Sequence, residues 1–171
     1  MRRFSYWFSL PCRWWHSHGF NVQSPWAYEF VRDAISDNSR FYAFDELHGT
    51  RDDRQLFRIV YWLKATDVVA YSDNNITKAH LMAPLSRKNL NHDGMTVYYY
   101  DKHHLNALEE HIQAARFDVC SCIIVEDIRH SAATIWDTIV NTLSTTSTFD
   151  LANRGIAFFD PARQKQNYLL L

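Results

Sequence analysis

Two acidic residues stand where this chain could do chemistry. Asp101 closes the run Val97-Tyr98-Tyr99-Tyr100, Asp127 follows Ile123-Ile124-Val125-Glu126, and His104 and His130 lie just beyond them. If both runs are parallel strands, the carboxylates sit at their carboxyl ends, where open α/β sheets bind ligands. Asp101, Asp127, His104 and His130 would then form a carboxylate–histidine cluster. Oxygen ligands alone suit Mg²⁺ or Ca²⁺, whereas the histidines would favour a transition metal. The plainer alternative makes Asp101 and Ser131 caps of the helices that follow, with Glu126 and Asp127 as solvated loop charges.

Other reactive residue types offer less. Nine histidines invite a zinc site, but His16, His18, His103, His104 and His111 show no helical i, i+4 pair and no Cys-x-x-Cys accompanies them. Scattered surface histidines are expected. Cys12, Cys120 and Cys122 are odd in number and badly spaced for a disulfide framework. Two apart on one strand, Cys120 and Cys122 are expected to face the same way as small buried hydrophobes, in keeping with a reducing cytoplasm. No G-x-S-x-G elbow is present, and a thiolate inside an apolar strand is disfavoured, so a nucleophile-based hydrolase is excluded.

The elements that must position these residues fall into two parts. Residues 1–66 read as a helical N-terminal extension packed on the core. Ser24-Pro25 starts a helix with Ala27, Phe30, Val31, Ala34 and Ile35 on its period. Thr50 and Asp53 form a capping box for a second helix with Leu56, Val60 and Leu63 inward. Residues 67–171 alternate strands and helices: a strand at Val68–Tyr71, a helix from Ile76 that Pro84 ends or kinks, and a strand at Met95–Tyr100. A helix with Leu105, Leu108, Ile112 and Ala115 on one stripe follows, then a strand at Cys122–Val125 and a helix with Ala132, Ile135, Trp136, Ile139 and Leu143 inward. Thr148–Leu151, Gly155–Phe159 and Tyr168–Leu171 read as strands joined in antiparallel hairpins. The fold class is α/β, a sandwich with a mainly parallel sheet.

Composition narrows the function. Of 171 residues, 47% are hydrophobic and 22% charged, which builds one domain with a substantial core, and a net charge of −1 offers no field to hold a nucleic-acid backbone. Four glycines (Gly19, Gly49, Gly94, Gly155) lie too far apart for a P-loop or a G-x-G-x-x-G turn. Aromatics are in excess at 15%. No apolar run reaches the roughly 20 residues of a transmembrane helix. Arg2-Arg3 followed by Phe4, Tyr6, Trp7, Phe8 and Leu10 is interrupted by serines, ends at Pro11 and meets Arg13-Trp14-Trp15-His16 instead of a small-residue cleavage site. This aromatic-basic segment is expected to pack on its own domain, the alternatives being a membrane surface or a partner.

Four segments carry a resemblance. His18-Gly19-Phe20-Asn21-Val22-Gln23-Ser24-Pro25-Trp26 resembles the H-G-x-x-V-x-S-P-aromatic opening of a bacterial group of class I S-adenosylmethionine-dependent methyltransferases. Val97-Tyr98-Tyr99-Tyr100-Asp101 through His104 is similar to that family's fourth core strand with its acidic end. Ile123-Ile124-Val125-Glu126-Asp127-Ile128-Arg129-His130-Ser131 is similar to its fifth strand and acidic turn, often D-D-I-H-W-S. Thr148–Leu151 and Gly155–Phe159 resemble its terminal antiparallel hairpin. The resemblance implies a Rossmann-like fold, S-adenosylmethionine as cofactor, and, as in some O-methyltransferases, a divalent cation on the residues matching Asp101 and Asp127.

The departures set the functional expectation. The family holds its cofactor with an acidic-x-G-x-x-x-G turn after the first strand; here the place reads Tyr71-Ser72-Asp73-Asn74-Asn75, with no glycine. Backbone must approach the ligand closely there, and side chains take that space. Strand-plus-helix units need roughly 25 to 30 residues each, and the chain from Asp67 onward is filled by the elements already named. The family's second and third strands are therefore expected to be missing between Ser72 and Met95. The expected protein is a degenerate, shortened methyltransferase-like protein without S-adenosylmethionine, acting as a binding or structural module. The alternative is an active O-methyltransferase with an atypical cofactor loop, using Asp101, Asp127 and His130. A shortened sheet also exposes an edge, for which a homodimer or another protein partner is expected.

Overall fold

A computed structural model describes residues 24–87, 94–142 and 144–170. The expectations on Cys12, His16, His18, Gly19, the aromatic-basic segment, most of the H-G-x-x-V-x-S-P stretch, Leu143 and Leu171 lie outside these residues.

Ser24 accepts a hydrogen bond from the Ala27 N–H and starts α1, Pro25–Phe30, which runs on into a π-helical turn over Val31–Ile35. After α2 (Ala43–Leu47) comes α3, Arg51–Trp62. Its capping box is complete: the Thr50 hydroxyl accepts from the Asp53 N–H, and the Asp53 carboxylate accepts from the Thr50 N–H. The sheet begins with β1, Asp67–Tyr71, followed by α4, Asn75–Met82, and a 3₁₀ turn over Ala83–Arg87 where Pro84 ends the α-helical pattern. Then come β2 (Thr96–Tyr100), α5 (Leu105–Gln113), β3 (Ser121–Glu126), α6 (Ala133–Asn141), β4 (Ser147–Asp150), β5 (Arg154–Phe158) and β6 (Gln166–Leu169).

The fold is α/β, with a six-stranded mixed sheet in the order β1-β2-β3-β5-β4-β6. β1, β2 and β3 are parallel, β5 runs antiparallel between β3 and β4, and β1 and β6 are the edges. Alternation along the strands divides the core into two layers. Val97, Tyr99, Cys122, Ile124, Ile156 and Phe158 face α1, the π turn and α3, where Phe30, Leu56, Ile59 and Val60 meet them. Tyr100, Ile123, Val125 and Ala157 face α5 and α6, meeting Leu108, Ile135, Trp136 and Ile139. No helix among the described residues is long and apolar enough to cross a membrane.

Three local expectations need correction. β6 is not part of an antiparallel hairpin; it runs parallel to β4. Both sides of β5 are already taken by β3 and β4, so the chain leaving β5 passes the start of β4 and joins its free edge. Thr146 marks the crossing, donating its N–H to Phe158 and accepting from the Gln166 N–H. Cys120 is exposed and precedes β3, whereas Cys122 is wholly buried, its thiol pushed up by burial. The stripe of α5 stops short of Ala115, which is exposed with φ 48° and turns the chain out of the helix in the left-handed conformation more often given to glycine.

Candidate functional site

Tyr71 and Tyr100 end two neighbouring parallel strands, so the turn after β1 and Asp101 after β2 lie side by side, as the strand reading expects. The turn is bonded to itself and to Asp101. The Asp73 N–H donates to Asp101 Oδ2 (3.3 Å), the Asn74 N–H to Ser72 Oγ (3.1 Å), and the Ile76 and Thr77 N–H groups to Asn74 Oδ1 (2.9 and 3.4 Å). Asn74 is thus the N-cap of α4, and Asn75 its first residue. The Lys78 N–H goes to the Asn74 carbonyl. Two of the donors that a phosphate or carboxylate would use at this helix start, the Ile76 and Thr77 N–H groups, are engaged by Asn74.

Asp101 is the hub. Its Oδ1 accepts from the His103 N–H at 2.8 Å and meets His104 Nδ1 at 2.8 Å. Burial works against its charge, but the bonds from His104, the His103 N–H and Ser72 outweigh it and hold the carboxyl below its ordinary range. His104 Nε2 lies 3.7 Å from Asp73 Oδ1, so one imidazole bridges the two acids. Asp101 does not cap α5; it closes the turn into it, and His104 occupies the cap position.

Asp127 belongs to a separate arrangement. With φ 60°, it accepts from the Ser131 N–H (3.1 Å) and hydroxyl (2.6 Å), fixing the turn ahead of α6. These bonds outweigh its partial burial and keep its carboxyl low. His130 is exposed. The structure therefore joins Asp101 to His104 and Asp73, and Asp127 to Ser131. Among the described residues no group of three or more His, Cys, Asp or Glu is placed to hold a metal ion.

Glu126 is not a solvated loop charge. As the last residue of β3 it pairs across the sheet with Arg154, the first of β5, at 2.5 Å from Oε1 to Nε. Burial pushes its carboxyl up, against the pull of Arg154 and a hydrogen bond from Tyr99. Arg154 Nη1 reaches back to Gln55 Oε1 (2.8 Å) and the Asp52 carbonyl (3.3 Å), both in the first turns of α3. From the same turn, Asp53 Oδ1 accepts from Thr77 Oγ1 of α4 at 2.7 Å while its Oδ2 holds Thr50. The start of α3 is thereby fastened at both ends of the carboxyl edge of β1–β3: to α4 beyond β1, and to β5 beside β3.

Sequence reasoning did not find Arg154, Gln55 or Thr77. The available signal was a single charge at the end of each of two apolar runs, Glu126 after Ser121–Val125 and Arg154 before Gly155–Phe158. Their pairing depends on β5 lying next to β3. Comparison with family models, curated proteins and solved structures finds no match to this chain.

Proposed function

We propose that this chain is a shortened, Rossmann-like, methyltransferase-like protein that does not bind S-adenosylmethionine and serves as a non-catalytic binding or structural module. The observation that carries the reading is the state of the turn Tyr71-Ser72-Asp73-Asn74-Asn75: its Asp73 and Asn74 N–H groups are bonded to Asp101 and Ser72, and Asn74 Oδ1 takes the Ile76 and Thr77 N–H groups that follow. A cofactor bound there would have to replace those bonds and make room among side chains where the family has glycine. The fastening of α3 at the carboxyl edge by Asp53–Thr77 and Arg154–Gln55 supports it further, because open α/β sheets bind ligands at that edge.

The strand order is in keeping with the resemblance. β1, β2 and β3 are adjacent and parallel, as first, fourth and fifth core strands would be with the second and third deleted, and β4 and β5 form the antiparallel pair expected near the end. On this reading β1 became an edge by that deletion and is the place for a second copy of the chain or another protein.

Calorimetric titration of S-adenosylmethionine and S-adenosylhomocysteine into the purified chain, with and without Mg²⁺, tests the proposal. No heat at millimolar ligand is the expected result. Micromolar binding overturns it in favour of an O-methyltransferase with an atypical loop, in which Asp73, Asp101, Asp127 and His130 would be the residues to substitute.

A further inference from the structure

A cavity of about 1030 Å³ lies at the opposite end of the parallel strands, bordered by Thr66 and Met95 just ahead of β1 and β2. Its walls are largely apolar and aromatic, with Trp26, Phe41, Tyr61, Trp62, Pro84 and Leu85 among them. Such a space is of the size and character that takes an organic ligand. One charge in the wall is out of keeping with the rest. Arg58, in the middle of α3, is only 6% exposed, its Nε is buried without a hydrogen-bond partner, and no carboxylate among the described residues forms an ion pair with it. Its guanidinium carbon lies 6.0 Å from the centre of the Phe44 ring.

The other charges lining the cavity are accounted for. Arg163 is paired with Asp160 at 3.1 Å and lies over the Trp26 ring. Asp33 is held by Arg32, and Asp37 accepts from the N–H and hydroxyl of Ser39. Lys64 is exposed to water. Asp37 attracts Arg58 from a distance, but burial dominates and lowers the guanidinium's affinity for its proton. Buried arginines are ordinarily paired, because an unmatched charge away from water is costly and the planar fork is suited to two parallel bonds with a carboxylate or similar oxyanion.

We infer that this cavity binds an organic anion, a carboxylate or comparable oxyanion on an aromatic or branched apolar body, with Arg58 gripping the anionic end and the aromatic walls enclosing the rest. The inference is independent of the proposed function, since the cavity is at the far end of the strands from Asp101 and the turn after β1.

The probe is 8-anilinonaphthalene-1-sulfonate, followed by its fluorescence on the full chain, with 3-phenylpropionate and the neutral 3-phenylpropionamide as competitors. One saturable site is expected, displaced by the carboxylate about tenfold or more better than by the amide. Arg58→Met is expected to weaken the probe by a similar factor while the thermal midpoint stays level or rises, since an unpaired buried charge has been removed. Equal competition by acid and amide overturns the inference, as does unchanged affinity in a folded Arg58→Met chain or no binding at millimolar probe. The acid–amide comparison needs only the unmodified chain and decides the matter even if the variant does not fold.

Discussion

Replacing Arg154 with methionine isolates the fastening between the sheet and α3. Met fills much of the same volume but removes the charge that faces Glu126, 8% and 16% exposed on their side chains. Glu126 keeps a hydrogen bond from Tyr99, so it is not stripped of every partner. Removing one member of a buried pair costs about 3–5 kcal/mol, most of it the stranded charge. Because Tyr99 remains, the lower end, about 3 kcal/mol, is expected here. Arg154 also holds Gln55 and the Asp52 carbonyl, two bonds of about 1 kcal/mol each net, which sets the upper end at about 5 kcal/mol. Urea unfolding monitored by tryptophan fluorescence measures the loss. In Arg154→Met the carboxyl of Glu126 rises further, so the deficit shrinks at acid pH as that carboxyl takes up its proton. The double variant Glu126→Gln/Arg154→Met removes the stranded charge and is expected to recover 1 kcal/mol or more of the single variant's loss. A single-variant loss under about 1 kcal/mol, or a double variant no more stable than the single, refutes the claim that this pair pins the helix.

Three further outcomes follow from local geometry. A Cβ at Gly155 would stand 2.6 Å from the ring of Trp136, so Gly155→Ala is expected to cost about 1–3 kcal/mol and shift the emission of the displaced indole. Asp53→Ala removes the capping-box acceptor and the bond from Thr77 together; a loss of about 3 kcal/mol by thermal or urea unfolding is expected, and a neutral result would contradict the geometry. His111 is buried, its Nδ1 2.6 Å from the Tyr100 hydroxyl, and burial with the nearby Arg116 lowers its proton affinity. The unfolded chain therefore protonates first as pH falls below about 6.5, and native stability declines through that window. The decline should be smaller in His111→Gln, read from urea midpoints at pH 7 and pH 5.

The parts of the fold that were legible in the sequence are those set by neighbours along the chain. Ser24-Pro25 and the Thr50–Asp53 box are short-range hydrogen-bond geometries, and both helices start there. The unbroken run Cys122–Val125 announced a strand covered on both faces, and α5 and α6 do cover the face opposite α3. What escaped depends on partners distant in sequence. The direction of β6 follows from which sheet edge is free, and the burial of Glu126 follows from β5 lying beside β3. At the candidate site, the place of Asp101 after a strand was readable, but its bonds to Ser72 and Asp73 follow from the pairing of β1 with β2. Ala115 shows a local failure: a helical stripe continues in hydropathy after the backbone has turned away, because alanine gives no steric warning.

The bonds from Arg154 to the Asp52 carbonyl and to Gln55 join residues 102 and 99 positions apart. Long-range closures of this kind form late, since the entropy of closing a large loop must be met before the contact rewards it. A chain emerging from the ribosome can form α3 and the three parallel strands before Arg154 exists outside the exit tunnel. During that interval the start of α3 keeps its bond to Thr77 through Asp53 but lacks its tie to the sheet through Arg154, β3 has an unpaired edge, and Glu126 faces water. With β5 in place the edge of β3 is paired, Glu126 is covered by Arg154 and the helix start gains its bond to the sheet. A ribosome stalled before Arg154 emerges would carry a chain with the carboxyl side of its sheet still open, and that intermediate is the form that a chaperone or a competing strand would meet.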